Sequence, residues 1–129
     1  MDNFNHNIDE FVKLNQPGIS EQPEYLFEND ALKFPRNLNC AAELIDKNIC
    51  EGRGDKTAIL TPDVRWSYLK LFQISNRIAH VIKDEMGLLK GNRVLLRSAN
   101  TPMAVACWIA IIKAGGVVIS TMPLLRAPE

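Results

Sequence analysis

The sequence predicts an α/β fold on a parallel βαβ core, and three features predict it. Two short apolar runs, Val94 to Leu96 and Val117 to Ile119, have the length and composition of strands, the first of them short enough to be buried on both faces. Between them, Met103 to Ala114 is apolar around its circumference apart from Lys113, as befits a helix covered on more than one side. Its boundary signals are in place: Thr101 to cap free amides, Pro102 for the first helical position, Gly115 for a left-handed closure and Gly116 for the turn. Strand, helix and strand at this spacing make a parallel pair with a right-handed crossover.

The other elements follow in chain order. Residues 1–38 lack periodicity and are punctuated by Pro17-Gly18, Pro23 and Pro35, so they read as a peripheral leader. Within it, Ile8 to Leu14 has the look of a helical turn or two, and Tyr25-Leu26-Phe27 of a segment laid over a neighbouring surface. Residues 39–129 form the α/β unit. Asn39 is placed as an N-cap, Ala41, Leu44, Ile45, Asn48 and Ile49 follow at helical spacing, and Gly52 closes that helix. Arg53-Gly54-Asp55 spells an adhesion tripeptide, but Gly-Asp is turn chemistry and fits the passage from helix to strand. Thr57 to Thr61 is a strand, Pro62-Asp63 a turn, and Val64 to Ser67 the returning partner. Tyr68 to Met86 is a helix closed by Gly87, with a buried stripe of Leu71, Ile74, Ser75, Ile78, Val81 and Ile82. Lys70, Gln73, Arg77 and Lys83 face water. Lys90-Gly91-Asn92 turns the chain into the strand Arg93 to Arg97.

Composition excludes several function classes. Fifteen basic residues balance fifteen acidic ones without a basic cluster, which argues against nucleic acid or an anionic membrane surface as partner. The apolar run Met103–Ile112 would make about 15 Å of helix, half of what a bilayer core requires. The opening MDNFNHNIDEF has neither a positive n-region nor an apolar h-region, so a cytoplasmic location is expected. Cys40, Cys50 and Cys107 are odd in number and form no CxxC pair, so they read as reduced thiols. His6 and His80 stand far from any cysteine, and no metal site is expected. The turn Ser98-Ala99-Asn100-Thr101 contains no glycine and matches no phosphate-binding fingerprint. Ser98, Thr101 and Ser120 read as turn and cap residues, and no nucleophile, base or metal constellation is apparent.

Two stretches together resemble a known family. RWSYLKLFQISNRIA is similar to the first signature of the adenylate-forming superfamily, an aromatic-Thr-Tyr-x-x-Leu passage from strand to helix. IIKAGGVVISTMPLLRAPE is similar to its Leu-Lys-Ala-Gly-Gly stretch and the proline loop beyond. GNRVLLRSANTPMAVACWIA, between them, resembles the usual Gly-Asp-Arg-Val strand and following helix. The order and spacing agree across roughly residues 38–129, and the GRGDK and TMPLLRA wording looks most like benzoate- and aminobenzoate-type aryl-CoA ligases. Two positions depart from the pattern. Ser67-Tyr68-Leu69-Lys70 replaces a Thr-Tyr-x-Glu capping box, at a cost of about 0.3–1 kcal/mol. Asn92 stands where an Asp is common. Both hint at a relaxed sequence.

The resemblance implies the N-terminal part of the large domain of a carboxylate–CoA ligase. Complete relatives would use ATP, Mg and coenzyme A, activating an acid as its adenylate and passing the acyl group to the thiol. Their phosphate loop, aromatic-Gly-Thr-Glu segment, ribose-binding Asp and mobile-domain Lys have no match here, so no catalytic residue carries over. Arg126, in the loop after the last strand, is the one candidate for approaching a coenzyme A phosphate; the reading as a surface arginine or salt-bridge partner is favoured over it, since a phosphate site calls for several converging donors. The chain is expected to be inactive alone. Val105, Trp108, Ile109, Ile111 and Ile112 surround the central helix; four such side chains left uncovered would forfeit about 6–12 kcal/mol, against the 5–15 or so of a whole domain. A marginal chain is expected, whose apolar surface would meet the remainder of a ligase or a second copy; the alternative is a non-catalytic interaction module that docks through this surface on a full-length ligase or on itself.

Overall fold

A computed structural model describes residues 8–24, 26, 29–30, 33–35 and 37–126. The elements, in chain order, are α1 (Phe11–Leu14), α2 (wide π-type turns over Ala42–Asp46 running into Lys47–Cys50), β1 (Thr57–Leu60), β2 (Arg65–Ser67), α3 (Tyr68–His80, continued by wide turns over Val81–Glu85), β3 (Arg93–Arg97), α4 (Pro102–Lys113) and β4 (Val117–Thr121), with a short 3-10 turn at Ile19–Glu21. β1 and β2 form an antiparallel ribbon, and β3 and β4 a parallel pair from Arg93↔Val117 to Arg97↔Thr121. β3, α4 and β4 are thus the βαβ unit that the two apolar runs predict.

Local chemistry accounts for the helix ends. Thr101 Oγ1 accepts a hydrogen bond from Ala104 N at 3.1 Å, and Pro102 follows at the first helical position. Ser67 Oγ accepts from Lys70 N at 3.2 Å, so half of the lost capping box survives. The Lys70 ammonium leans over the Trp66 ring, 5.1 Å from its centre, which gives the cation a partner despite its unfavourable helix position. Asn39 serves two helices. Its Oδ1 accepts from Ala41 N and Ala42 N at 3.1 and 3.3 Å, while its Nδ2 donates to the Ile112 carbonyl at 3.0 Å. One side chain therefore satisfies the start of α2 and the end of α4.

The core is two apolar clusters meeting at α4. Ala41, Ile45, Trp66, Leu71, Ala106 and Ile109 join α2, β2, α3 and α4. Ile82, Ala110 and Ile111 form the second, against which Val94, Leu96 and Val118 of the parallel sheet pack. Lys113 closes the first side. Its ammonium donates to Asp46 and to Asn76 Oδ1 (2.7 Å), and stands 4.4 Å from the centre of the Phe72 ring. Its side chain is 9% exposed. A charge this buried has to be paired and hydrogen-bonded, and here it is.

Several expectations are corrected. β3 is not buried on both faces: Val94 and Leu96 turn inward, whereas Leu95 is 64% exposed. Helices cover one face of the β3–β4 pair, so alternation with period two leaves the other face open. Val81 is exposed because it sits about 100° around the helix from buried Ile82, at the rim of the stripe. Leu44 is likewise exposed. α4 is covered through Ala106, Ile109, Ala110 and Ile111, but Val105 and Trp108 on its third side remain partly open. Leu26 is exposed, and its neighbours Tyr25 and Phe27 lie outside the described residues.

Candidate functional site

The open side of α4 and the ends of the strands enclose a groove of about 570 Å³. Its position follows from the topology. Parallel strands β3 and β4 end side by side, and the chain leaving β3 must turn back into α4, so a crevice opens at their carboxyl ends. Val105 and Trp108, one helical turn apart, make the apolar wall; Ser98, Asn100 and Thr101 form the β3–α4 turn; Ser120 and Met122 close the side toward β4.

The lining decides what this groove can do. No Asp, Glu, His, Lys, Arg, Cys or Tyr contributes to it. General acid–base chemistry, and the activation of a serine or threonine nucleophile by an adjacent base, need such a group. Three of the lining hydroxyls are committed to the backbone: Ser98 Oγ donates to the Ala99 carbonyl at 2.9 Å, Thr61 Oγ1 donates to the Val64 carbonyl at 3.2 Å, and Thr101 Oγ1 caps α4. A triphosphate or a divalent cation would meet no cation or carboxylate here, so the donor set does not fit ATP or Mg. The groove can bind apolar surface.

A second cleft of about 310 Å³ does contain titratable side chains, Asp46, His80, Lys83 and Lys113. Asp46 and Lys113 are paired with one another. His80, expected at the surface, is exposed and lies 3.3 Å from Asp84. The Asp46–Lys113 pair ties α2 to α4, whereas His80 and Asp84 lie one turn apart on a single helix. Among the described residues there is no cluster of three or more His, Cys, Asp or Glu that could hold a metal ion. Cys40 and Cys50 are exposed, Cys107 is half-buried, and all three are free thiols. No helix among these residues is long and apolar enough to cross a membrane.

Arg126 is exposed and already engaged in an interaction of its own. It does not line the groove, although its loop departs from Met122, which does. The loop is set by a residue that sequence reasoning passed over. Arg97, the last residue of β3, donates to the carbonyls of Pro123 and Leu125 at 2.6 and 3.0 Å. Its signal was weak: an arginine ending an apolar strand looks like any solvated flank. The Lys113 tie was missed for the opposite reason, since a lysine near a helix C-terminus already has a sufficient local explanation.

Comparison with known proteins gives a consistent picture. A family model described as AMP-binding enzyme matches residues 47–129. A 3-hydroxybenzoate/4-hydroxybenzoate–CoA ligase of Thauera aromatica is 27% identical over 92 residues, which cover 71% of this chain and 17% of the ligase. The benzoate–CoA ligase of the same organism is 30% identical over 99 residues, covering 77% of this chain and 19% of its own. Among solved structures, the anthranilate CoA ligase AuaEII in complex with anthranoyl-AMP superimposes with a TM-score of 0.62 at 25% identity, over 68% of this chain and 17% of that one. The chain therefore spans less than a fifth of the length of these relatives.

Proposed function

The chain belongs to the AMP-binding enzyme family, and from that premise we propose that residues 39–129 are the N-terminal α/β subdomain of an aryl- or acyl-CoA ligase, with residues 1–38 as its leader. The observation that carries this reading is the coincidence of the family match with the β1–β4 scaffold, beside a groove lined without one titratable group. The complete reaction would join a carboxylate to AMP from ATP, release pyrophosphate, and transfer the acyl group to the thiol of coenzyme A. The Mg and ATP of that reaction would be held by the remainder of a ligase. In this chain Arg126 is the one residue offered to coenzyme A, as a cation in a loop fixed by Arg97. Alone, the chain is inactive.

Its partner would be the remainder of a ligase, seated on the apolar surface that Leu95, Val105, Trp108 and Ile119 leave uncovered. The balanced charge speaks against nucleic acid and against an anionic membrane, and the expected compartment is the cytoplasm. A non-catalytic docking module would use the same surface, so the experiment must separate the two. Benzoate-dependent ATP–pyrophosphate exchange is measured for the chain alone and after co-expression with a homologous hydroxybenzoate–CoA ligase lacking the matching segment. Exchange only in the co-expressed pair supports a subdomain. Association without exchange supports the docking module, and exchange by the chain alone overturns both.

A further inference from the structure

The leader meets the α/β unit at the entrance to β3. Asp9 Oδ1 accepts from Arg93 Nη1 at 2.7 Å and from Phe11 N at 2.8 Å, and Asp9 Oδ2 accepts from Asn92 Nδ2 at 2.7 Å. The backbone joins in: Ile8 N and Asp9 N both donate to the Lys90 carbonyl, at 3.0 and 3.1 Å. Two residues beyond the carboxylate, the Phe11 ring lies under the Arg93 guanidinium, 4.5 Å from ring centre to the guanidinium carbon. Asn92 decides the polarity of this arrangement. Its Oδ1 is taken by Leu89 N at 3.0 Å, so its NH₂ must face outward, toward Asp9. A carboxylate at position 92 could still accept from Leu89 but would set oxygen against oxygen at Asp9.

We propose that Lys90, Asn92 and Arg93 form a binding site for a short acidic segment carrying an aromatic residue two positions after the carboxylate, and that the chain's own Asp9–Phe11 occupies it. Asn92 gives the site its selectivity, since its amide donates to Asp9 where a carboxylate at this position would repel it. The depressed pKa of Asp9, caused first by the Arg93 hydrogen bond and next by Phe11 N–H, agrees with a carboxylate held in its charged form.

The test is a double-mutant cycle on the full chain, Asn92→Asp and Asp9→Asn, read as amide hydrogen exchange at Ile8 and Asp9. Asn92→Asp should accelerate exchange about fivefold, the scale of a charge-assisted bond partly screened by water. Adding Asp9→Asn should recover at least half of that change on a logarithmic scale, because the new amide can donate to the new carboxylate. Effects that simply multiply, or an Asn92→Asp chain that exchanges as before, overturn the proposal. Asp9→Ala alters neither apolar cluster and keeps the test decisive should Asn92→Asp fail to fold. It should likewise speed exchange at Ile8, and unchanged exchange there refutes the site.

Discussion

Leu95 and Leu96 are one residue type at adjacent positions of β3, and the fold sends them to opposite faces. Leu96 packs on the Ile82–Ala110–Ile111 cluster, whereas Leu95 is 64% exposed. Truncating each to alanine therefore measures how one-sided the sheet is. A buried leucine loses about 2–5 kcal/mol on truncation, and Leu96, being half-buried, belongs at about 2. Leu95 has only about a third of its surface to lose, or roughly 0.5–1 kcal/mol of a full burial worth 1.5–3. With an m-value of about 1.5 kcal/mol/M, the urea midpoint should fall by about 1.3 M for Leu96→Ala and by less than about 0.7 M for Leu95→Ala. Trp66, 8% exposed within the first cluster, is the fluorescence reporter. Equal shifts, or a larger one at Leu95, would mean that the outer face is covered in the chain as it stands and would sink the one-sided packing argument. With a ligase remainder docked, Leu95→Ala should weaken the association.

Three further outcomes are expected. Gly116→Ala should lower the melting temperature through about 1–3 kcal/mol of overpacking, since an added Cβ would lie 2.9 Å from Ile111 Cγ2 and 3.0 Å from Leu88 Cδ2; an unchanged melting curve would contradict that crowding. Asn39→Ala should cost about 0.5–2 kcal/mol as a lost N-cap, while Asn39→Asp keeps the cap on α2 but loses the donor to the Ile112 carbonyl; chemical denaturation should rank wild type above Asp and Asp above Ala. Asp9 has a folded-state pKa below its ordinary 3.8, so its contribution is complete above that pH and lost as pH falls through the folded value. A carbon-13 titration of the Asp9 carboxyl should therefore give a midpoint below 3.8, and one at or above it would dissociate the carboxylate from Arg93.

The main helices and strands of residues 39–121, and their order, are legible in the sequence. β3, α4 and β4 were legible because apolar runs, a Thr-Pro start and a Gly-Gly stop are signals carried within a dozen neighbouring residues. The family resemblance was legible for the same reason, being borne by contiguous motifs. Which faces are covered depends on long-range packing. Val94-Leu95-Leu96 reads as uniformly apolar, and only the placement of helices on one side of a two-stranded sheet separates Leu95 from its neighbours. The same holds for the long-range ties of Asn39 to Ile112, Lys113 to Asp46 and Asp9 to Asn92. Each side chain had a sufficient local reading as a cap, a flank or a leader residue. Its partner lies far along the chain, where periodicity and spacing carry no information.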